Sequence, residues 1–281
     1  MKVVIMSIIA LIAFAANSVL CRLALHETDI DPASFTTVRL VSAAFMLSII
    51  VLFSVKGTST KTFFAQGSWS GSIALFVYAA AFSLAYIELT AATGALILFG
   101  MVQVAMLSIS FAQGQRFTRW QWLGFSLAIV GLLLLFLPSA SNPDVLSACL
   151  MAIAGVAWGV YSILGKGVSQ PLLMTCGNFV RSIPLTLVLS VLWLTHFQVD
   201  ALGLWYAVLS GALASGLGYA VWYGVLPSIP GTQAATLQLA VPVIATVGGI
   251  VLLDESLTTM FVLASISILG GIGLVLKASK P

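Results

Sequence analysis

Apolar residues in this chain come in long, nearly unbroken stretches separated by short polar connections. The stretches cover about 3–22, 33–55, 69–88, 93–112, 119–137, 146–165, 171–194, 202–225, 232–252 and 258–276. Each has about the length an α-helix needs to cross a hydrocarbon layer of about 30 Å. Polar and apolar residues do not alternate within them, as the wall of a membrane β-barrel requires. Open strands in lipid would leave backbone groups unpaired. The expected fold is therefore all-α, a polytopic membrane protein of ten transmembrane helices. The weakest division lies between the third and fourth stretches, where Glu88-Leu89-Thr90-Ala91-Ala92-Thr93 offers little to stop a helix. In the first stretch Ala13-Phe14-Ala15 looks like a leader cleavage site. The apolar run continues through Ala24, beyond what a leader core needs, so it reads as a retained helix.

Composition sharpens this picture. Of 281 residues, 60% are hydrophobic and 7% charged, against about 25% charged in an ordinary soluble domain. Mean hydropathy is +1.14. A soluble fold of this size has too much surface for so little charge. That excludes a soluble enzyme, a nucleic-acid binder and a disordered chain. Cys21, Cys149 and Cys176 have no metal-ligand spacing and read as small buried hydrophobes. Neither a metal nor a cofactor is implied, and no nucleotide-binding loop occurs.

Charge placement gives orientation. With ten spans and a cytoplasmic start, the inner segments hold Lys2, Lys56, Lys61, Arg116, Arg119, Lys166, Lys277 and Lys280, eight of the 11 basic residues. The outer segments hold Arg22, while Arg39 and Arg181 fall within spans. All eight acidic residues fall on or beside the outer side. Basic residues near span ends set topology. Both termini are expected in the cytoplasm, with the chain in a bacterial inner membrane.

The chain reads as two five-helix halves, 1–138 and 142–281. Phe35-Thr36-Thr37-Val38-Arg39 resembles Asn178-Phe179-Val180-Arg181. Gln115-Arg116-Phe117-Thr118, with Gly124 and Gly131, parallels Glu255-Ser256-Leu257-Thr258, with Ala264 and Gly271. Several matches in order indicate a repeat. Five is odd, so the second half starts on the opposite face and the repeats are inverted. Inverted repeats give two near-equivalent arrangements, one open to each side, which is the basis of alternating access.

These features, with Ala157-Trp158-Gly159 leading to Lys166, then Gly231, Ala234-Ala235, Val241-Pro242 and Asp254-Glu255-Ser256-Leu257-Thr258, resemble the EamA-type permeases of the drug/metabolite transporter superfamily. The resemblance covers essentially the whole chain. Gln115 stands where the family usually has the glutamate matched here by Glu255, and the Val102-Gln103 region lacks the proline matched by Pro242. The resemblance implies a secondary carrier, often an exporter of amino acids or other small metabolites. It also implies a cavity lined mainly by helices one, three, four, six, eight and nine, with five and ten away from it.

Candidate cavity residues are the polar and aromatic ones inside spans: Asn17, Tyr78, Tyr86, Gln103, Trp158, Tyr161, Arg181, Tyr219 and Gln238. Unpaired amides are costly in hydrocarbon, so Asn17, Gln103 and Gln238 should face protein or water. A helix–helix hydrogen bond is the competing role for each. Arg181 either lines or gates the cavity, attracts an anionic substrate group, or is tied to carbonyls near Pro184. Arg39, Pro184 and Pro242 are structural or gating candidates, and Pro242 is expected near the middle of its helix, as a compliant point. Trp222 and Tyr223 are expected in an interfacial belt.

The function expected is secondary transport of small metabolites, with export of amino acids or related compounds leading. Nucleosides, sugar conjugates and drugs are alternative cargoes. A noncatalytic scaffold is the alternative of another class. A lipid-modifying enzyme would need an acid–base or nucleophile constellation that the sequence does not offer. Partners are a small-molecule substrate and the bilayer, not nucleic acid, and either a monomer or a homodimer would suffice. Reporter fusions test the topology: a cytoplasmic reporter is expected to be active at both ends, and a periplasmic one at a site near Asp144. Activity of a periplasmic reporter at either terminus would refute the ten-span count.

Overall fold

The computed structural model describes residues 2–54, 66–114, 116–136, 143–165, 168–229 and 237–278. It is all-helical among them. Ten principal helices follow in order: α1 (Lys2–Glu27), α2 (Pro32–Ser54), α3 (Trp69–Ala85), α4 (Ala91–Ala112), α5 (Arg119–Phe136), α6 (Val145–Leu164), α7 (Pro171–Leu192), α8 (Ala201–Ser228), α9 (Ala240–Leu253) and α10 (Thr259–Ala278). Seven are long and apolar enough to cross a membrane; α3, α5 and α9 are shorter apolar helices. The end of the bundle where α1 begins is called the near end, and the end where α1 finishes the far end.

Local chemistry sets the boundaries. The doubtful break between α3 and α4 is real, because Thr90 caps α4 by accepting from the Thr93 N–H at 3.1 Å. Ser68 caps α3 in the same way through Gly71. Asp144 and Asp200 cap α6 and α8. Backbone N–H donors hold both carboxyls below the usual carboxylate range, chiefly from Ser147 for Asp144 and from Gly203 for Asp200. The support these caps give is therefore present above the ordinary carboxylate pKa. It is lost as pH falls through the depressed value. Helix α9 ends at Asp254, whose left-handed φ of 51° returns the Glu255 N–H to the Gly249 carbonyl at 3.1 Å.

Helix α8 is not uniform. Residues Leu209–Leu217 form a π-helix inside it, flanked by α-helical Ala201–Val208 and Gly218–Val225. Before α9, Gln238 is helical and Leu239 is a turn, so Pro242 falls in the first turn of α9 rather than near mid-helix. A proline is accommodated there because first-turn N–H groups have no helical partner. Pro184 lies exposed on α7, which runs through it unbroken. Trp222 is not an exposed belt residue, and Tyr223 is half-buried beside Tyr219. Trp222 is 6% exposed and packs edge-on against Phe14. Trp69, Trp120 and Trp205 remain on the exposed surface.

The packing relates the two halves. Helix α1 packs on α8 and α9, and α6 packs on α3 and α4. Helix α2 packs on α8, and α7 on α3. Three further cross-half pairs, α2 with α7, α4 with α9 and α5 with α10, join equivalent helices. Each of these pairings has its exchange partner when α1–α5 and α6–α10 swap, as a pseudo-two-fold axis requires, while a smaller α4–α10 contact has no counterpart of equal extent. Residues repeat the symmetry. A Cβ at Gly124 would run into the Gly271 carbonyl, and one at Gly131 would come within 3.0 Å of the Ala264 carbonyl. Shifting Gly124 and Gly271 by the repeat offset turns the first pair into the second. Lys166, Gly231, Ala234, Ala235, Gln115 and the expected boundary at 138–142 lie outside the described residues.

Helices α5 and α10 therefore pack through bare backbone. Gly124→Ala is expected to destabilise by about 1–3 kcal/mol through overpacking. Gly273→Ala, with open space at the added Cβ, is expected to be neutral or stabilising by up to about 1 kcal/mol. Thermal unfolding in detergent compares them, and equal effects would refute the close approach.

Candidate functional site

The site is built where both halves meet. A narrow cavity is lined by Phe14, Asn17 and Ser18 of α1, Tyr78 and Phe82 of α3, Leu98 and Phe99 of α4, Trp158 of α6, Ala214, Ser215 and Tyr219 of α8, and Gln238 before α9. Five of the six helices that the family resemblance implies line it, and the sixth, α9, is approached through Gln238 just before its start, while α5 and α10 pair with each other to one side. The space open to the centre of a water-sized sphere is about 20 Å³, room for about one water. A molecule larger than water fits only if the walls part.

Aromatic rings form a connected wall. Tyr78 and Trp158 have centroids 4.9 Å apart, and Trp158 stacks on Tyr219 at 5.3 Å with an interplanar angle of 27°. Phe14 continues the wall to Tyr219 at 5.5 Å, and Phe82 meets Tyr78 at 5.4 Å. Such contacts add about 0.5–1.5 kcal/mol each beyond burial. Two of the expected cavity residues support this wall from behind. Tyr161 stacks on Trp158 and donates to Thr175 at 3.3 Å. Tyr86 packs edge-on to Phe82 at 4.6 Å and is fully buried.

The polar part of the wall is a relay between helices. The Ser210 hydroxyl donates to Asn17 Oδ1 at 2.5 Å, and Asn17 Nδ2 donates to Tyr78 Oη at 3.2 Å. Arg39 Nη2 donates to the same Tyr78 oxygen at 2.9 Å. Arg39 is 1% exposed, with its guanidinium 4.7 Å from the Phe82 ring centroid.

Of the nine residues expected at the cavity, Asn17, Tyr78, Trp158, Tyr219 and Gln238 line it, while Tyr86 and Tyr161 lie behind it. Gln103 is buried on α4 but does not line the cavity. Arg181 is half-buried on α7, where a Cβ at Gly67 would meet its guanidinium. Its place is the seam between α7 and the start of α3, away from the cavity. Phe14, Phe82, Leu98 and Ala214 are lining residues that sequence reasoning did not select. They are ordinary apolar residues in apolar helices, and only the packing distinguishes them.

Polar ties join the helix connections at the far end. Arg22 Nη1 donates to the carbonyls of Tyr86 and Ile87 at 3.1 and 2.6 Å, which pins α1 to the α3–α4 turn. Glu255, from the α9–α10 connection, accepts from the N–H groups of Ala91 and Ala92 at 2.5 and 3.2 Å. A carboxylate at a helix N-terminus satisfies donors with no helical partner and complements the helix dipole. Asp31 accepts from the Gln198 N–H at 3.2 Å and donates its own N–H to the Gln198 carbonyl at 2.8 Å. Among the described residues no cluster of His, Cys, Asp or Glu could hold a metal ion.

A bundle of apolar helices in two related halves, closed around a central aromatic and amide cavity, is the architecture of a multi-pass membrane transporter for small molecules. The chain belongs to the EamA-like transporter family, whose sequence pattern matches it twice, over residues 1–137 and 145–277. An uncharacterized protein of Pseudomonas aeruginosa is 46% identical over 275 residues, 98% of this chain and 94% of its own. The threonine/homoserine exporter RhtA of Salmonella typhimurium is 30% identical over 172 residues, 58% of this chain and 56% of its own. A probable amino-acid metabolite efflux pump of the same organism is 28% identical over 178 residues, 58% of this chain and 60% of its own. A crystal structure of another protein shares the fold with a TM-score of 0.66 at 19% identity, covering 98% of this chain and 99% of that one.

Glu255→Ala removes the carboxylate from α4 and leaves two N–H donors unmet. It is expected to lower stability by about 1–2 kcal/mol, with Glu255→Gln recovering part of the loss. Thermal unfolding of purified protein reads this, and an unchanged midpoint for the alanine variant would contradict the capping role.

Proposed function

We propose that this protein is a secondary carrier that exports small metabolites, amino acids or related compounds, by alternating access across the bacterial inner membrane. The observation that carries the reading is the position of the cavity. It lies where helices of both halves meet, with aromatic and amide side chains toward its centre. Rocking of one half against the other would open such a site to either face in turn. The near end is the cytoplasmic one in this reading, as the basic residues favour. The halves 1–138 and 142–281 supply the two exchangeable arrangements. The far-end ties of Arg22 and Glu255 hold the outer side closed and must break for release. The names of the two Salmonella relatives support amino acids as the cargo class, over the part of the chain they match. A monomer suffices for this mechanism.

Counterflow in proteoliposomes tests it, with labelled amino acids, nucleosides, sugars and organic cations. Saturable counterflow of amino acids is expected. Trp158→Ala is expected to raise the half-saturating concentration about threefold to tenfold, the worth of one aromatic contact. Saturable flux confined to another class would change the cargo and keep the carrier. No flux from folded, inserted protein would overturn the carrier and favour a scaffold.

A further inference from the structure

Arg39 is the most completely buried charge among the described residues, and no carboxylate among them lies within ion-pair distance of it. A cation held without a counter-charge in low dielectric is costly and marks a functional site more often than a structural one. Only Nη2 of its guanidinium is engaged. Nε and Nη1 are buried without a hydrogen-bond partner among the described residues. The two rings the guanidinium lies against, Tyr78 at 5.2 Å and Phe82 at 4.7 Å, are cavity walls. The charge therefore stands one ring behind the cavity.

The hydrogen-bond inventory shows what reaches the cavity. Arginine can only donate, so the Tyr78 oxygen accepts from Arg39. It also accepts from Asn17 Nδ2, whose orientation is set by Ser210 donating to Oδ1. With both lone pairs of the phenol occupied, its single proton is left to donate. A second cavity hydroxyl, that of Ser215, is 3% exposed and has no partner among the described residues. Two hydroxyls with protons to give, one of them polarised by a buried cation, form a site for an anionic oxygen.

We infer that the cavity recognises its substrate by a carboxylate, held by the Tyr78 and Ser215 hydroxyls and balanced by Arg39. This rests on the carrier reading above and narrows its substrate class. The faces of Trp158 and Tyr219 receive the remainder of the molecule, an ammonium group included. A purely cationic amine is disfavoured, because it brings a second positive charge toward Arg39. The repeat mate Arg181 takes no part, since it packs at the α7–α3 seam and not behind a cavity ring.

The test is competition in counterflow between an unlabelled amino acid and its methyl ester. The ester keeps the size and the ammonium group but has no carboxylate charge. In the wild type the ester is expected to compete at least about tenfold more weakly, the worth of a charge-assisted hydrogen bond. In Tyr78→Phe, which removes one oxygen, the acid is expected to fall to within about threefold of the ester. Arg39→Gln should have the same effect and Arg39→Lys should keep the preference. If the glutamine variant fails to fold, Tyr78→Phe carries the test. Equal competition by acid and ester in the wild type, or equal loss of both in Tyr78→Phe, overturns the inference. Transport confined to compounds without an anionic group also overturns it and leaves the carrier standing. Absence of any flux instead overturns the carrier reading itself.

Discussion

Helices in lipid have no hydrophobic reason to associate, because the solvent is as apolar as their side chains. What holds them together is close contact between backbones and a few polar ties. This fold obeys that constraint at several cross-half seams. Helices α5 and α10 meet through Gly124 and Gly271. Helix α6 meets α4 where a Cβ at Gly155 would lie 2.7 Å from the Leu98 carbonyl. Helix α8 meets α2 at Gly211, directly over the backbone of Arg39. Without such positions the helices would stand a side chain further apart. The cavity that α4, α6 and α8 border would then lose the narrowness that lets single hydroxyls and rings define it.

The same symmetry that builds the bundle is broken at its centre. Arg39 and Arg181 occupy matching places in the repeat, and each has a glycine of the opposite half against it, Gly211 and Gly67. One arginine turns toward Tyr78 and the cavity, and the other stays at a seam. A two-fold scaffold therefore carries a one-sided site. Under the carrier mechanism proposed above, rocking needs the halves to be alike and recognition of an asymmetric molecule needs them to differ, so the two requirements fall on different residues.

The helices were legible in the sequence, because long apolar runs and short polar breaks permit little else. Eight of ten begin and end within three residues of the expected limits. The exceptions are α1, which extends past 22 to Glu27, and α9, whose described part starts at Ala240. The cavity was half legible. Asn17, Tyr78, Trp158, Tyr219 and Gln238 stand out as polar or aromatic groups in apolar surroundings. The partition between the two arginines was not legible. In a soluble protein, charge on the outside tells which face of a helix is in. These helices are apolar all round, so nothing local shows which way Arg39 or Arg181 turns. The belt expectation for Trp222 failed for a related reason: tryptophan near a span end suits an interface, but Phe14 on α1 gives it a better contact inside.

The π segment of α8 bears on that same question of faces. Among the buried positions of this helix, Gly203, Ala207, Gly211, Ser215 and Tyr219 form one row that recurs every fourth residue. On an ideal α-helix a spacing of four drifts about 40° per step, so the stripe would wind away from its neighbours. Winding the chain more loosely over nine residues absorbs the drift. The stripe stays straight, and one edge of a single helix lies along α2 at Gly211 and then opens onto the cavity at Ser215 and Tyr219. A helical wheel drawn with one uniform period would spread these residues over nearly half the cylinder. The helix keeps its own phase, set by the partner it follows.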